Sequence, residues 1–288
     1  AHWLGVAAIA GSVPVADEPL PDLNDPVVCP PVYDGAPMRV LIMLPDTDFD
    51  VTEVAVPWYM LRRRGHEVVF ATEHGDMPNA DPLLLTGVLC GQLGADPLPK
   101  LMYFDMERDP AFRKPVTWES VVPDAYDGLL LPGGHAPGMR QYLGSGLVQE
   151  KVQDFWQLDR PVGAICHGVL VLARTPAPGS ARRSVLHGAT VTGLPNFMEM
   201  SAYGLTCACR GRYYRTYPET VEDEVRASVG RRGQFLRGPV TFTRGSPWDS
   251  AHAYVVEHGK LITARWPGDA YLFARRFLAK LEEVQRLY

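Results

Sequence analysis

The sequence lacks the features that mark several large functional classes. It has only five cysteines in 288 residues, an odd number at irregular spacings, which argues against a disulfide framework and for free thiols in a reducing compartment. It has no block rich in lysine and arginine and a net charge of −5, so no nucleic-acid partner is expected. The apolar stretch Trp3–Ala16 is too short and too rich in glycine to cross a membrane. These absences predict a cytoplasmic protein with no membrane partner.

Motifs for cofactors and metals are missing as well. The sequence contains no P-loop and no dinucleotide-binding fingerprint. The "CAC" stretch Cys207–Cys209 is too short and has no nearby ligand partners, so it does not indicate a metal site. We therefore predict that the protein uses no cofactor and holds no metal.

The chain does contain enough apolar material for a proper core, because 46% of its residues are hydrophobic. Residues 1–37, dense in proline and aspartate in their second half, predict an extended N-terminal arm. Residues 38–288 predict a single α/β domain. Two long irregular stretches inside it, at about 75–120 and 197–240, predict inserted cap or lid segments.

Short apolar runs alternate with amphipathic segments along this domain. The pattern predicts buried strands, a C-terminal hairpin at 253–265 and a closing helix; the strands are expected at 38–44, 67–72, 126–134, 161–166 and 189–194. Alternating βα units predict a flavodoxin-like fold, a mostly parallel sheet sandwiched by helices. Ligands of such sheets bind at the carboxyl ends of the strands.

One short stretch, "PVGAICHGVLVLAR" at 161–174, places a cysteine where a buried strand passes into a helix. The start of a helix supplies partial positive charge and free N–H groups, which favour the thiolate, the nucleophilic form of Cys166. A strand, a sharp turn and a helix form a nucleophile elbow. The alternative is an ordinary small cysteine buried in the core, and position alone does not decide between the two.

Three other features could belong to the same site. Gly133–Gly134 follow a strand and would let backbone N–H groups approach a ligand and hold an oxyanion. Glu53, just after the first strand and its loop, could reach the pocket, and His167 could be a general base. Each also has a plain structural reading: a Gly-Gly turn, a solvated glutamate in a first helical turn, and a residue at a helix start.

Together these motifs resemble the ThiJ/PfpI superfamily, which is also known for the Parkinson-disease deglycase. The resemblance covers most of residues 38–284, and four motifs occur in the family's order: the first βαβ unit with Glu53, the glycine loop "YDGLLLPGGHAPGM", the elbow "GAICHG", and the hairpin and helix "VVEHGKLITARWPGDAYLFARRFL". The "GGH" form of the glycine loop is typical of the glyoxalase III and chaperone-like branch.

The resemblance implies a role for each motif residue. Cys166 would be the nucleophile, Glu53 would hydrogen-bond its sulfur, and His167 would be the general acid/base. The oxyanion pocket would be built from the backbone of Gly133, Gly134 and His167.

In this branch a third acidic residue usually orients the histidine. Here Asn196 stands near the position where the acid is expected, and Glu199 lies slightly further on. These two residues are the candidates for completing a Cys-His-acid triad.

The activity implied by the resemblance is a cofactor-independent, cysteine-dependent reaction on small reactive carbonyls. The leading case is a glyoxalase III-like lyase, of the D-lactate dehydratase type, that converts a 2-oxoaldehyde such as methylglyoxal to a 2-hydroxy acid. The alternatives are a thiol hydrolase, amidase or deglycase, and a redox-sensing holdase chaperone without turnover. The resemblance also implies a stress-response role and a homodimer.

Overall fold

The computed structural model describes Val28 and residues 31–87 and 93–286. Most of the predicted N-terminal arm lies outside these residues, as do Cys29 and Cys90. In chain order the strands are β1 (Arg39–Met43), β2 (Thr47–Phe49), β3 (Glu67–Thr72), β4 (Asn79–Ala80), β5 (Val116–Thr117), β6 (Gly128–Leu131), β7 (Val162–Ile165), β8 (Pro176–Ala177), β9 (Ser180–Ser184), β10 (Thr190–Val191), β11 (Gln234–Phe235), β12 (Val255–His258) and β13 (Leu261–Ala264).

The α-helices flank the central sheet, which seven of these strands build. In chain order they are α1 (Val51–Arg64), α2 (Pro82–Thr86), α3 (Pro97–Met106), α4 (Pro110–Arg113), α5 (Met139–Leu143), α6 (Gly146–Trp156), α7 (Val169–Arg174), α8 (Asn196–Arg210), α9 (Val221–Val229) and α10 (Ala270–Gln285). None of these helices, within the part of the chain that is described, is both long and apolar enough to span a bilayer.

A seven-stranded sheet forms the centre of the molecule, in the order β12-β13-β7-β6-β1-β3-β5. All neighbours in it are parallel except the hairpin of β12 and β13. The strands β1, β6, β7 and β13 are almost wholly buried, as expected for apolar runs covered on both faces. The predicted α/β fold with a mostly parallel sheet and flanking helices is confirmed.

Helix α1 begins at the edge where the parallel strands end. The Asp50 side chain caps it by accepting hydrogen bonds from the N–H groups of Thr52 (2.8 Å) and Glu53 (3.1 Å). At its other end Gly65 takes a left-handed conformation with φ of +97°, which terminates the helix. The Asp50 cap fixes the first turn of α1. Glu53, in that turn, therefore lies next to the carboxyl ends of β1 and β6.

The two predicted insertions contain more regular structure than their irregular pattern indicates. The first holds α2, α3 and α4 and ends in β5, which pairs with β3 in the main sheet. The second holds α8, α9 and β11. The strand expected at 189–194 is shorter, Thr190–Val191, and pairs with β11 in a separate small sheet rather than in the main one.

A buried arginine just after β13 joins the irregular segment before β12 to the start of the closing helix. Arg265 is fully buried and contacts both carboxyl oxygens of Asp269, at 2.9 Å through Nε and 2.8 Å through Nη2. Its guanidinium also donates to the carbonyl oxygens of Pro239 (2.7 Å) and His252 (3.1 Å). Arg265 therefore holds residues 237–254 against the sheet.

Replacing Arg265 by alanine is expected to lower the free energy of unfolding by about 3–5 kcal/mol, because it leaves the Asp269 carboxylate buried without its partner. Urea unfolding measures this change. The control is Arg276→Ala, which removes an exposed ion pair with Glu257 (3.6 Å) and should cost less than about 1 kcal/mol. Equal losses in the two variants would contradict the importance given to the buried pair.

Candidate active site

Cys166 occupies a sharp turn at the carboxyl end of β7. Its φ of +56° is left-handed, which costs a non-glycine residue about 1–2 kcal/mol. The chain then passes through a 3₁₀ turn, Cys166–Gly168, into α7. Gly168 lets this turn lie against β6, because a Cβ at that position would be 2.0 Å from the carbonyl oxygen of Leu131. Strand, turn and helix are therefore arranged around Cys166 as in an elbow.

Glu53 lies against this turn from the first turn of α1. Its side chain is buried, and Oε2 accepts a 2.8 Å hydrogen bond from the backbone N–H of Gly133. The other oxygen, Oε1, makes no hydrogen bond of standard geometry, although the carboxyl interacts with the Cys166 thiol. Burial, reinforced by the nearby Asp50 carboxyl, raises the pKa of Glu53 well above its usual value. Burial therefore favours the protonated form of Glu53.

The thiol of Cys166 is fully buried. Burial raises its pKa well above the usual value, and the carboxyls of Glu53 and Asp50 act in the same direction. The backbone N–H of His167 lowers it, but by less. The thiolate expected from the helix start is therefore not favoured in this arrangement, because desolvation outweighs the N–H groups of a short helix.

His167 and a second histidine form a pair of neutral imidazoles beside the sulfur. Nδ1 of His167 lies 3.5 Å from Cys166 Sγ, and the His135 ring packs edge-on against the His167 ring with centroids 4.8 Å apart. Burial lowers the pKa of His167 well below its usual value and that of His135 to about 4. Both rings are therefore uncharged at neutral pH and can accept a proton or bind a metal.

The two glycines of the loop after β6 lie against different neighbours, which leave no room for a side chain. A Cβ on Gly133 would lie 2.7 Å from the His167 nitrogen and 2.9 Å from Glu53 Oε2. A Cβ on Gly134 would lie 2.7 Å from the Asp48 carbonyl oxygen. The prediction that the Gly133 backbone serves the oxyanion pocket needs correction, because its N–H already donates to Glu53.

The two candidates for the third residue of the triad, Glu199 and Asn196, contact the start of α9. The Glu199 carboxyl accepts a 3.0 Å hydrogen bond from the Val221 N–H, at the start of α9, and lies 3.8 Å from Arg215. The Asn196 side chain donates to Asp223 Oδ1 at 2.9 Å. No hydrogen bond joins either residue to His167 among the described residues, so both fasten α8 to α9. The predicted Cys-His-acid triad is wrong for these two positions.

A cavity of about 690 Å³ opens beside the histidine pair. Its walls are largely apolar and include Leu84, Leu93, Leu194, Met198, Leu205 and Phe242. Asp50 and His135 also line it, and both act on the elbow: His135 packs on His167, and Asp50 raises the pKa of Cys166. Cys166 itself is not part of the lining.

Sequence reasoning missed Asp50, although a signal for it was present. Aspartate followed three residues later by glutamate, as in Asp50 and Glu53, is a pattern of helix N-termini. The buried Asp50 carboxyl has a pKa raised to about 6, chiefly by burial. His135 was inside the quoted "GGH" motif. The residues that line the cavity from the irregular segments carry no local pattern that could have marked them.

Among the residues that the structure describes, two groups of side chains could hold a metal ion. The donor atoms of His135, Cys166 and His167 all lie within 4.8 Å of one another, and nitrogen and sulfur ligands of this kind suit Zn²⁺. A second group, Asp46, Glu73 and His74, is on the surface. The first group was not expected from the sequence, which has no metal motif of regular spacing.

The fold and the elbow define an α/β protein with a buried cysteine at a strained strand-to-helix turn. A family model described as ThiJ/PfpI family-like matches residues 44–228, and the chain belongs to this family. The family predicted from the sequence motifs is thereby confirmed.

Similar proteins are found among both sequences and solved structures. A deglycase of Pyrococcus abyssi is 28% identical over 245 residues, which cover 85% of this chain and 100% of the relative. Glyoxalase III from Candida albicans superposes with a TM-score of 0.62 at 20% identity, covering 84% of this chain and 97% of the other. Rapid Encystment Protein 24 kDa from Francisella tularensis gives a TM-score of 0.64 at 20% identity, covering 85% and 99%. At these identities the solved structures support the fold alone.

Proposed function

We propose that the protein is a cofactor-independent, cysteine-dependent enzyme that converts a 2-oxoaldehyde, such as methylglyoxal, to a 2-hydroxy acid. The observation that carries this proposal is the cluster at the elbow, where Cys166 Sγ lies 3.5 Å from His167 Nδ1 and beside the Glu53 carboxyl. Family membership and the name of the Pyrococcus relative support an enzyme that acts on carbonyl compounds.

The first step is the addition of the Cys166 sulfur to the aldehyde carbon. Because burial disfavours both a free thiolate and a charged imidazole, the thiol proton passes to His167 as the carbon–sulfur bond forms, and the carbonyl π bond breaks to leave the aldehyde oxygen as an alkoxide. Backbone N–H groups of Gly134 and His167 stabilise that alkoxide in this proposal, and protonation gives a hemithioacetal. Burial favours the protonated form of Glu53, which in this proposal donates a hydrogen bond to the sulfur and offsets the negative charge that develops there as the proton leaves.

The second step is an internal redox reaction. A neutral imidazole removes the hydrogen from the former aldehyde carbon as a proton, which gives an enediol, and a proton returns to the adjacent carbon. The former aldehyde carbon is thereby oxidised to a thioester, and the ketone carbon is reduced to an alcohol. Water cleaves the carbon–sulfur bond, releases the 2-hydroxy acid and restores the thiol. No electron acceptor is needed, because one carbon oxidises the other.

Access to the sulfur requires movement of a side chain. The thiol is fully buried, and the cavity ends at residues that include His135 rather than Cys166. In the proposed reaction the His135 ring turns away from His167 when substrate enters. Its ring packs on those of His167 (4.8 Å) and Tyr214 (5.5 Å), and its low pKa fits a neutral ring that can move without breaking an ion pair.

The test is incubation with glyoxal, methylglyoxal and phenylglyoxal, without added cofactor and with EDTA, followed by proton NMR. We expect the wild type to form the corresponding 2-hydroxy acid from at least one of them. The matched control is Cys209→Ser, which changes an exposed thiol and should leave the rate unchanged. Consumption of all three compounds at the rate seen in buffer would overturn the proposal.

A deglycase is the second candidate, favoured by the name of the Pyrococcus abyssi relative. The same sulfur would then displace the free amine from the glycated carbon, and the carbonyl fragment would leave as the 2-hydroxy acid after the internal redox step and hydrolysis described above. With an amide or ester the acyl-sulfur intermediate would form directly and be hydrolysed by water. Adding a glycated amino acid to the NMR panel separates this activity from the first. A redox-sensing holdase would show neither reaction, and only oxidation at Cys166 would be found by mass spectrometry.

A further inference from the structure

The cavity beside the elbow is much larger than methylglyoxal requires. Its volume of about 690 Å³ falls in the range of about 300–1,000 Å³ that suits drug-sized ligands. Methylglyoxal has a single methyl group, which would leave most of the apolar wall formed by residues such as Leu194, Met198 and Phe242 in contact with water. The size and character of the walls therefore fit a ligand with a bulky apolar substituent.

Four lining residues carry a buried polar atom that has no hydrogen-bond partner among the described residues: Thr52 Oγ1, Tyr214 Oη, Arg244 Nη1 and Trp266 Nε1. The nitrogens of arginine and tryptophan can only donate, and the two hydroxyls can donate as well. Arg244 Nη1 already forms an ion pair with Asp96 at 3.4 Å, so Thr52, Tyr214 and Trp266 are the donors left without a partner among the described residues. Buried donors normally have partners, so these residues leave spare donor capacity in the cavity wall, which suits a ligand that brings acceptor oxygens.

The donors and the apolar wall adjoin the elbow. Thr52 follows Asp50 in the first turn of α1, the turn that also holds Glu53. The Tyr214 ring packs on His135 with centroids 5.5 Å apart, and His135 in turn packs on His167. A ligand in the cavity would therefore place oxygens near the histidine pair and extend its apolar part toward α8, where Met198 and Leu205 lie.

We infer that the substrate is a 2-oxoaldehyde whose ketone carbon carries an aryl or a branched alkyl group, rather than a methyl group. The vicinal carbonyl oxygens, and later the carboxylate of the product, accept from the unpartnered donors. The bulky group fills the apolar part of the cavity. This inference rests on the proposed function, because it names the substrate class of the same site.

The first measurement compares kcat/KM for phenylglyoxal and methylglyoxal. We expect the value for phenylglyoxal to be at least tenfold higher, because a buried ring contributes more than a methyl group in an apolar pocket. Phenylglyoxal also differs from methylglyoxal in intrinsic reactivity, so variants that narrow the cavity provide the decisive comparison.

The cavity-narrowing variant is Ala202→Phe, on the face of α8 that lines the cavity. It should lower kcat/KM for phenylglyoxal about tenfold more than kcat/KM for methylglyoxal. If it does not fold, the second variant is Gly204→Phe, at another lining residue of α8 where a Cβ meets nothing within 4 Å. Gly146→Phe is the control, since Gly146 has the same open surroundings in α6, away from the cavity.

A binding measurement keeps the inference testable if the enzyme turns over neither compound. Mandelate and lactate are the two corresponding products, and calorimetry should show mandelate binding at least tenfold more tightly. Failure to convert any 2-oxoaldehyde would overturn the proposed function while leaving this comparison intact. Equal affinity for mandelate and lactate, or equal loss of both activities in Ala202→Phe, would overturn the substrate class and leave the reaction standing.

Discussion

Replacing Cys166 by serine is expected to lower kcat/KM for the best 2-oxoaldehyde by a factor on the order of 10³–10⁶, the range seen when an enzyme loses its nucleophile. Serine keeps the size of the side chain, so the turn with its φ of +56° is retained. A hydroxyl held beside a neutral imidazole is a far weaker nucleophile than sulfur toward the carbonyl carbon. The rate is measured by NMR, with circular dichroism to verify the fold.

The control for Cys166 is Cys209→Ser in α8, where the thiol is exposed. This variant should keep the wild-type rate, because its sulfur is not part of the elbow. Retention of more than a tenth of the activity in Cys166→Ser would contradict the assignment of the nucleophile. Equal losses in both variants would point to a general effect of removing thiols.

The second large effect is expected at Glu53, where two substitutions separate two roles. Glutamine keeps an oxygen that can accept from the Gly133 N–H and gains an amide that can donate to the sulfur. Leucine removes both groups. If Glu53 supports the sulfur, Glu53→Gln should stay within about tenfold of the wild type, and Glu53→Leu should lose a factor on the order of 10²–10³. Both values are kcat/KM on the same 2-oxoaldehyde.

Two observations would decide against this role for Glu53. A similar loss in both variants, on the order of 10²–10⁴, would mean that the carboxyl transfers a proton. A wild-type rate in Glu53→Leu would remove Glu53 from the site. Because leucine also leaves the Gly133 N–H buried without an acceptor, at a cost of about 1–3 kcal/mol, unfolding must be measured in parallel. Glu119→Gln, at an exposed glutamate, is the neutral control.

The main strands were predictable because they bury both faces. A run such as "GLLL" in β6 has no polar side chain to place in water, so it indicates a covered parallel strand. Helix α3 was not predictable in the same way, since Pro97 and Pro99 are typical of loops. Proline is tolerated in a first helical turn, where its missing N–H would have had no partner, and α3 begins with both.

The site was predictable where its residues follow predicted strands. Cys166 and His167 are neighbours, and Gly133 and Glu53 each follow a strand whose carboxyl end lies at the same edge. Glu199 was misplaced because its contact with the start of α9 depends on how two helices pack. The cavity residues, such as Phe242 and Leu84, come from segments far apart in the chain. No local sequence pattern predicts that they lie together.

The order of the central sheet restricts how two copies of this chain could join. One edge strand of the sheet is β5, which is only two residues long. The other edge strand is β12, which carries the exposed Glu257 and His258 and packs near β10. Short edge strands and edge strands with charged side chains discourage pairing with a strand from another molecule. The homodimer implied by the family resemblance, which remains a prediction, would therefore be built through helices and loops rather than by one continuous sheet across two subunits.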